Sequence, residues 1–130
     1  MTREDVNPAA LNPPSGFSHA SVARGSKLVC IAGMVALDKE WQIIGGDDLA
    51  EQTKAAMRNI EIAMKELDVQ WNDIVRRTIY TLRPTEWETM GEAIDEVTGG
   101  APHPAQTVVG VSSLAIPGLL LEIECTAFVD

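Results

Sequence analysis

Cationic side chains are scarce in this sequence: 10 Lys and Arg stand against 19 Asp and Glu, for a formal net charge of −9 over 130 residues. Phosphate backbones are gripped by Lys and Arg that release counterions, and anionic lipid by polybasic patches. The balance therefore argues against nucleic acid and against a membrane surface as partners. Long apolar runs are also missing. The longest cover a few residues, far short of the ~20 that a membrane-spanning helix needs. The polar, acidic start Met1-Thr2-Arg3-Glu4-Asp5 is followed by no apolar stretch of the kind a secretory leader carries. Only two cysteines occur, Cys30 and Cys125, far apart and each inside an apolar run. They read as two buried free thiols of a reducing compartment rather than a disulfide, and the expected location is cytoplasmic. His19 and His103 share none of the short spacings of zinc sites with these cysteines, so no metal is expected. No Lys-Ser/Thr follows Gly45-Gly46, which excludes a phosphate loop there. Small molecules and other proteins remain as partners.

What is present fits a single domain over residues 1–130, with hydrophobic residues at 45% and charged residues at 22%. The first 15 residues, with Pro8, Pro13 and Pro14 and no periodicity, read as an irregular arm. A strand from about Phe17 to Ala23 is expected to form a hairpin with Leu28-Val29-Cys30-Ile31-Ala32 through Arg24-Gly25-Ser26. Asp48 and Glu51 have the form of a capping box, and behind them Leu49, Thr53, Ala56, Ile60, Ala63, Met64 and Leu67 recur at helical spacing. The β-branched run from Ile74 to Leu82 predicts a strand stopped by Arg83-Pro84. Thr85 and Glu88 suggest a second capping box, before a helix marked by Trp87, Met90, Ile94 and Val97 and ended by Gly99-Gly100. Two strands close the chain, over 107–111 and 119–129.

The order ββαβαββ argues an α+β fold, a single sheet with both helices packed on one face. In the last strand Leu119, Leu121, Ile123, Cys125, Ala127 and Val129 fall on one face, toward the helices. Leu120, Glu122, Glu124, Thr126 and Phe128 fall on the other. A face mixing carboxylates with Leu and Phe is better suited to a subunit seam than to bare solvent.

Two places could carry chemistry. Glu122 and Glu124 read either as solvent-facing carboxylates or as groups in an interface cleft, where desolvation would raise a carboxyl pKa and equip it to hold a water or move a proton. The segment Ala101-Pro102-His103-Pro104-Ala105-Gln106-Thr107 reads either as a stiff connection or as a loop that places one side chain accurately.

Six landmarks in order resemble one family: Phe17-Ser18-His19-Ala20; Leu28 through Ala32-Gly33; Gln52 with Asn59; Asp73-Ile74-Val75 with Tyr80; Pro104-Ala105-Gln106-Thr107; and Glu122-Ile123-Glu124. From about Gly16 to Phe128 the chain resembles the Rid family (reactive intermediate deaminase, YjgF-like), also called L-PSP endoribonuclease. The resemblance implies a chorismate-mutase-like fold in a homotrimer, whose three sheets form a central barrel with small-molecule clefts between subunits. It implies hydrolysis of enamines and imines, such as 2-aminoacrylate and its imine, to 2-keto acids and ammonia, without metal or organic cofactor. Glu122 then corresponds to the family's water-positioning glutamate, and Phe17, His19, Ala32, Gly33 and Gln106 to substrate-binding positions.

Three positions depart from the pattern. Gln106 stands where the deaminases carry the arginine that grips the substrate carboxylate, Phe17 replaces a tyrosine, and Ala32 replaces a serine. A neutral amide cannot reproduce a bidentate guanidinium clamp. The sequence thus leaves two readings. One is a hydrolase acting through Glu122 on an enamine, imine or related metabolite, with Gln106 on a carbonyl or amide, His19 or His103 as an auxiliary, and weak activity on 2-aminoacrylate. The other is a non-catalytic trimer that binds a metabolite in the same cleft.

Overall fold

The structure is a computed structural model and describes residues 2–130. Its main layer is a four-stranded sheet in the order β3-β6-β4-β5, built from β3 (Lys27–Met34), β4 (Ile74–Thr81), β5 (Ala105–Gly110) and β6 (Leu121–Val129). β6 runs antiparallel to both β3 and β4, while β4 and β5 are parallel. That parallel pair requires a crossover, and α2 (Trp87–Thr98) supplies it.

Both helices lie on one face. α1 (Leu49–Glu66) starts where the Asp48 side chain accepts from the Glu51 N–H at 3.1 Å, satisfying one of the helix's free donors. It buries Leu49, Ala56, Met57, Ile60 and Met64. α2 adds Met90 and Ile94 and ends on Gly99, left-handed at φ 71. The sheet answers with Ile31, Ile79, Leu121, Ile123, Cys125 and Ala127, which join one core cluster with the helix residues. The alternation in β6 is as expected, with inward residues buried and Glu122 and Glu124 on the other face. We call that other face the open face.

Gln52, wholly buried on α1, ties the helix to the loop before β6. Its amide donates to the carbonyls of Gly46 at 2.6 Å and Gly118 at 2.9 Å, and its oxygen accepts from the Leu120 N–H at 2.9 Å.

Five expectations need correction. β2 (Ala20–Arg24) does not form a hairpin with β3; it pairs with β1 (Thr2–Val6) in a separate two-stranded antiparallel sheet, so the strands do not form a single sheet. The N-terminal stretch is therefore a strand before it becomes irregular. Arg3 explains the anchoring: its guanidinium donates to the carbonyls of Ile74 and Pro102, both at 2.8 Å, and pairs with Asp5 at 2.9 Å. Cys30 is exposed, because it pairs with Thr126 on the open face, whereas Cys125 is buried. Leu120 is buried beside Leu119, since regular alternation begins only at Leu121. Thr85 does not cap α2; it sits in a 3-10 turn over Pro84–Glu86, and the helix starts without a side-chain cap. No helix is long and apolar enough to cross a membrane, among the described residues.

Candidate functional site

Glu122 lies on β6 opposite Tyr80 of β4, half-buried on the open face. Its position depends on a bulge. Ile31 pairs with Cys125 and Met34 with Ile123, so Ala32 and Gly33 together face the single residue Glu124. The Glu122 side chain lies across the Gly33 main chain: a Cβ added there would stand 2.7 Å from Cδ and 2.8 Å from Cγ of Glu122. Beside it the Tyr80 hydroxyl donates to Glu124 at 2.6 Å, and this bond to a carboxylate raises the phenol pKa above its ordinary value. Glu124 therefore has a partner, while the Glu122 carboxylate is shaped by the glycine beneath it.

Gln106 and Phe17 lie elsewhere. Gln106 sits on β5, the edge strand, in register with Arg77 of β4 and on the helix side of the sheet. It lines a cleft of about 410 Å³ with Phe17, Ile79, Trp87, Gly91 and Val108, roofed by the arm from Asn12 to Gly16. The arm is sewn to the start of β5. The Ser18 N–H donates to the Pro104 carbonyl at 2.9 Å, the Ser18 hydroxyl to the His103 carbonyl at 2.7 Å, and the Ala105 N–H to the Ser21 hydroxyl at 2.8 Å. His19 is part of this stitching. Its ring Nε2 donates to the Asn12 carbonyl at 2.7 Å, its N–H donates to the Asn7 side chain at 2.7 Å, and it meets Phe17 edge to face at 5.2 Å. Its position is that of a strut for the arm.

The structure thus brings together Ala32, Gly33 and Glu122 on the open face, and Phe17, His19 and Gln106 on the helix side at the sheet edge. Within one chain the sheet separates the two groups. A site using both would need the open face of one subunit to meet the edge of another.

Sequence reasoning missed Arg77. It is 4% exposed, and its guanidinium joins three segments: Nε donates to the Gln106 side-chain oxygen, and Nη2 donates to the Gly16 carbonyl at 3.2 Å and to His103 Nδ1 at 2.9 Å. His103 in turn reaches Asp95 of α2 through Nε2 at 2.8 Å. Burial lowers the Arg77 pKa to about 10, so it stays cationic at neutral pH. Burial first, then the Arg77 charge, holds His103 below the usual histidine value, with Asp95 opposing the shift. The Cys125 thiol against this cluster is pushed up to about 12 by burial, which leaves it protonated and inert as a nucleophile. The signal for Arg77 was available: it shares the two-residue period of Ile79 and Thr81, the inward positions of β4. Among the described residues, no group of three or more His, Cys, Asp or Glu side chains is placed to hold a metal.

The fold and the cleft define a small mixed α+β protein with two helices on one face of its sheet and a largely apolar cleft at the sheet edge into which Gln106 brings a polar side chain. The sequence matches the family model described as endoribonuclease L-PSP over residues 7–129, and the chain belongs to that family, the Rid or YjgF proteins. It is similar to the conserved Rid family protein YyfB of Yersinia pestis, whose crystal structure superposes with a TM-score of 0.91 at 33% identity, covering 99% of this chain and 100% of that one. A RutC family protein of Pyrococcus abyssi is 29% identical over 128 residues, 98% of each chain. Reactive Intermediate Deaminase A, chloroplastic, of Arabidopsis thaliana is 25% identical over 120 residues, which cover 92% of this chain and 60% of the plant protein.

Proposed function

We propose that this chain is one subunit of a homotrimeric hydrolase that converts an enamine or imine to a carbonyl compound and ammonia, in clefts completed by a neighbouring subunit. The observation that carries the reading is Glu122: a half-buried carboxylate laid over the Gly33 main chain, on a face that mixes carboxylates with exposed apolar side chains. That face exposes Leu28 at 60% and also Cys30, so a second copy covering it removes apolar surface from solvent. The deaminase named among the relatives supports the reaction class.

In this reading Glu122 holds a water and takes its proton as the water oxygen bonds to the imine carbon. The C=N π electrons move to nitrogen, which gains a proton. The resulting carbinolamine expels ammonia as its hydroxyl becomes the carbonyl. Net, one imine and one water give one carbonyl compound and one ammonia. Gln106 and Phe17 hold the remainder of the substrate, and no cofactor enters any step. The absence of an arginine at position 106 makes 2-aminoacrylate a poor substrate.

The test is carbonyl release from freshly generated imines, including 2-aminoacrylate and longer homologues. Turnover that Glu122→Ala abolishes is the expected result. Turnover unchanged in Glu122→Ala removes Glu122 from the mechanism. A second reading, a metabolite-binding trimer without catalysis, is favoured by Gln106 standing in the clamp position. Thermal stabilisation by keto acids with no turnover on any imine would establish it instead.

A further inference from the structure

Arg77 has no part in the chemistry above, yet it is the most buried charged residue among the described residues and stands directly behind Gln106. Its nitrogens only donate hydrogen bonds. The Gln106 atom that receives the Arg77 Nε–H is therefore the amide oxygen, and the Gln106 NH₂ is left pointing away from Arg77. Gln106 also lines the cleft, so the group presented there is a pair of N–H donors. The same rule sets His103. Its Nδ1 accepts from Arg77, so its proton sits on Nε2 and is donated to Asp95. At the centre of the cluster Arg77 spends its Nε–H on the Gln106 oxygen and its Nη2 hydrogens on Gly16 and His103, which leaves the Gln106 NH₂ free of that contact.

We infer that Arg77 is a positioning residue that locks the Gln106 amide with its NH₂ toward the cleft, so that the cleft selects ligands presenting an acceptor oxygen and rejects those presenting only donors. This rests on the reading of the cleft as a small-molecule site and gives that site its polarity. A glutamine alone is ambivalent, since a flip exchanges donor for acceptor at almost no cost in shape. Arg77 removes the ambivalence. The cation behind the amide also polarises its N–H bonds, which strengthens contact with a carbonyl or carboxylate oxygen.

The test uses the full chain and three probes of similar size: 2-oxobutanoate, 2-oxobutanamide and 2-aminobutane. They carry a charged acceptor, a neutral acceptor and only an ammonium donor. In wild type, the side-chain NH₂ resonances of Gln106 should move with both oxo compounds and stay still with the amine. Gln106→Glu keeps the shape and pairs with Arg77, but turns a carboxylate oxygen outward. It should weaken oxo-compound binding about tenfold or more, as expected for loss of a charge-assisted hydrogen bond. It should gain binding of 2-aminobutane. Arg77→Met should bring the oxo compounds and the amine within about threefold of each other, and Arg77→Lys, which still donates to the amide oxygen, should restore part of the difference.

Equal binding of 2-oxobutanoate by wild type and Gln106→Glu overturns the inference, even if the cleft proves to be the binding site. If no probe moves Gln106, the reading of the cleft fails, and the lock is judged in the free protein. There, 15N relaxation of the Gln106 side chain should show an ordered amide in wild type that becomes mobile in Arg77→Met. An amide equally ordered in both refutes the lock.

Discussion

Replacing Gly33 by alanine probes the placement of Glu122 without touching its chemistry. Gly33 does not have a positive φ, so its backbone accommodates alanine without strain. The new methyl group would stand 2.7 Å from Cδ and 2.8 Å from Cγ of Glu122, inside contact distance, and a flexible side chain gives way before a strand does. Two opposing effects set the stability change. Alanine reduces unfolded-chain entropy, worth about 0.4–1 kcal/mol toward folding. Moving Glu122 off its preferred rotamer costs about 0.5–1.5 kcal/mol. The sum lies within about 1 kcal/mol of zero, a small shift in a urea midpoint. Catalysis is more exacting, since about 1 Å of misplacement of a catalytic group costs ~100-fold. Gly33→Ala should therefore lose about two orders of magnitude in imine hydrolysis while melting almost as wild type. Shortening the carboxylate arm in Gly33→Ala/Glu122→Asp should relieve the overlap, so the stability effects of the two changes should not add. Turnover within threefold of wild type in Gly33→Ala would refute the argument that the glycine exists to seat Glu122. A stability loss above ~3 kcal/mol would show that the backbone, and not Glu122, had yielded.

Gln52→Leu leaves the Gly46 and Gly118 carbonyls and the Leu120 N–H without their partner in a buried site, and should cost about 3 kcal/mol or more in urea unfolding. His103 should make stability fall in mild acid. Its folded pKa lies below 6.5, so as pH drops through 6.5 the unfolded chain takes a proton that the folded one refuses, and the loss continues down to the folded pKa. Urea unfolding of wild type and His103→Gln at pH 7.5 and 5.5 checks this: the variant should lack that component, and an identical pH response in both would remove His103 from the effect. Native mass at micromolar concentration should be about three times the 14.0 kDa chain, and a 14.0 kDa species would refute the trimer. Gln106→Arg should raise turnover on 2-aminoacrylate at least several-fold if Glu122 is competent, measured as keto-acid release.

Periodicity made most of the fold legible. The repeat behind Asp48 placed α1, because the helix must turn one stripe to the sheet and Asp48 satisfies its first turn. The alternation from Leu121 to Val129 placed β6 and its two faces, because a strand covered on one side buries every second residue. What escaped depends on contacts between segments distant in sequence. β1 has no local pattern of its own. Arg3 fixes it to Ile74 and Pro102, far along the chain, so the short Arg24-Gly25-Ser26 link to β3 did not decide the pairing of β2. The site was half legible for the same reason. Glu122 and Gln106 stand out in sequence, but the sheet that separates them, and the arginine that orients one of them, are properties of the assembled fold.

Arg77 changes what a glutamine at position 106 means for a ligand. In a direct clamp the guanidinium touches the ligand oxygen at ~3 Å; with a glutamine interposed, the charge stands at roughly twice that distance. Coulomb energy varies as the inverse of distance, so a charge held back at Arg77 gives about half the attraction of a direct clamp. It also lacks the bidentate geometry that makes arginine specific for a planar carboxylate. Asp95, linked through His103, offsets part of the remaining positive potential. A cleft of this kind discriminates weakly between a carboxylate and a neutral carbonyl, and strongly between either of them and an amine. The chain as a whole, at −9, repels anions from a distance, and the interposed glutamine weakens the one local feature that could offset this. Under the proposed imine hydrolysis, both facts favour substrates whose polar handle is a neutral carbonyl. Raising ionic strength should consequently change turnover on a neutral imine by less than twofold, while turnover on an anionic imine should rise as the repulsion is screened. Kinetics for a 2-iminoamide and its 2-imino acid counterpart across a salt series would show it, and a fall in turnover on the anionic member as salt increases would contradict the charge argument.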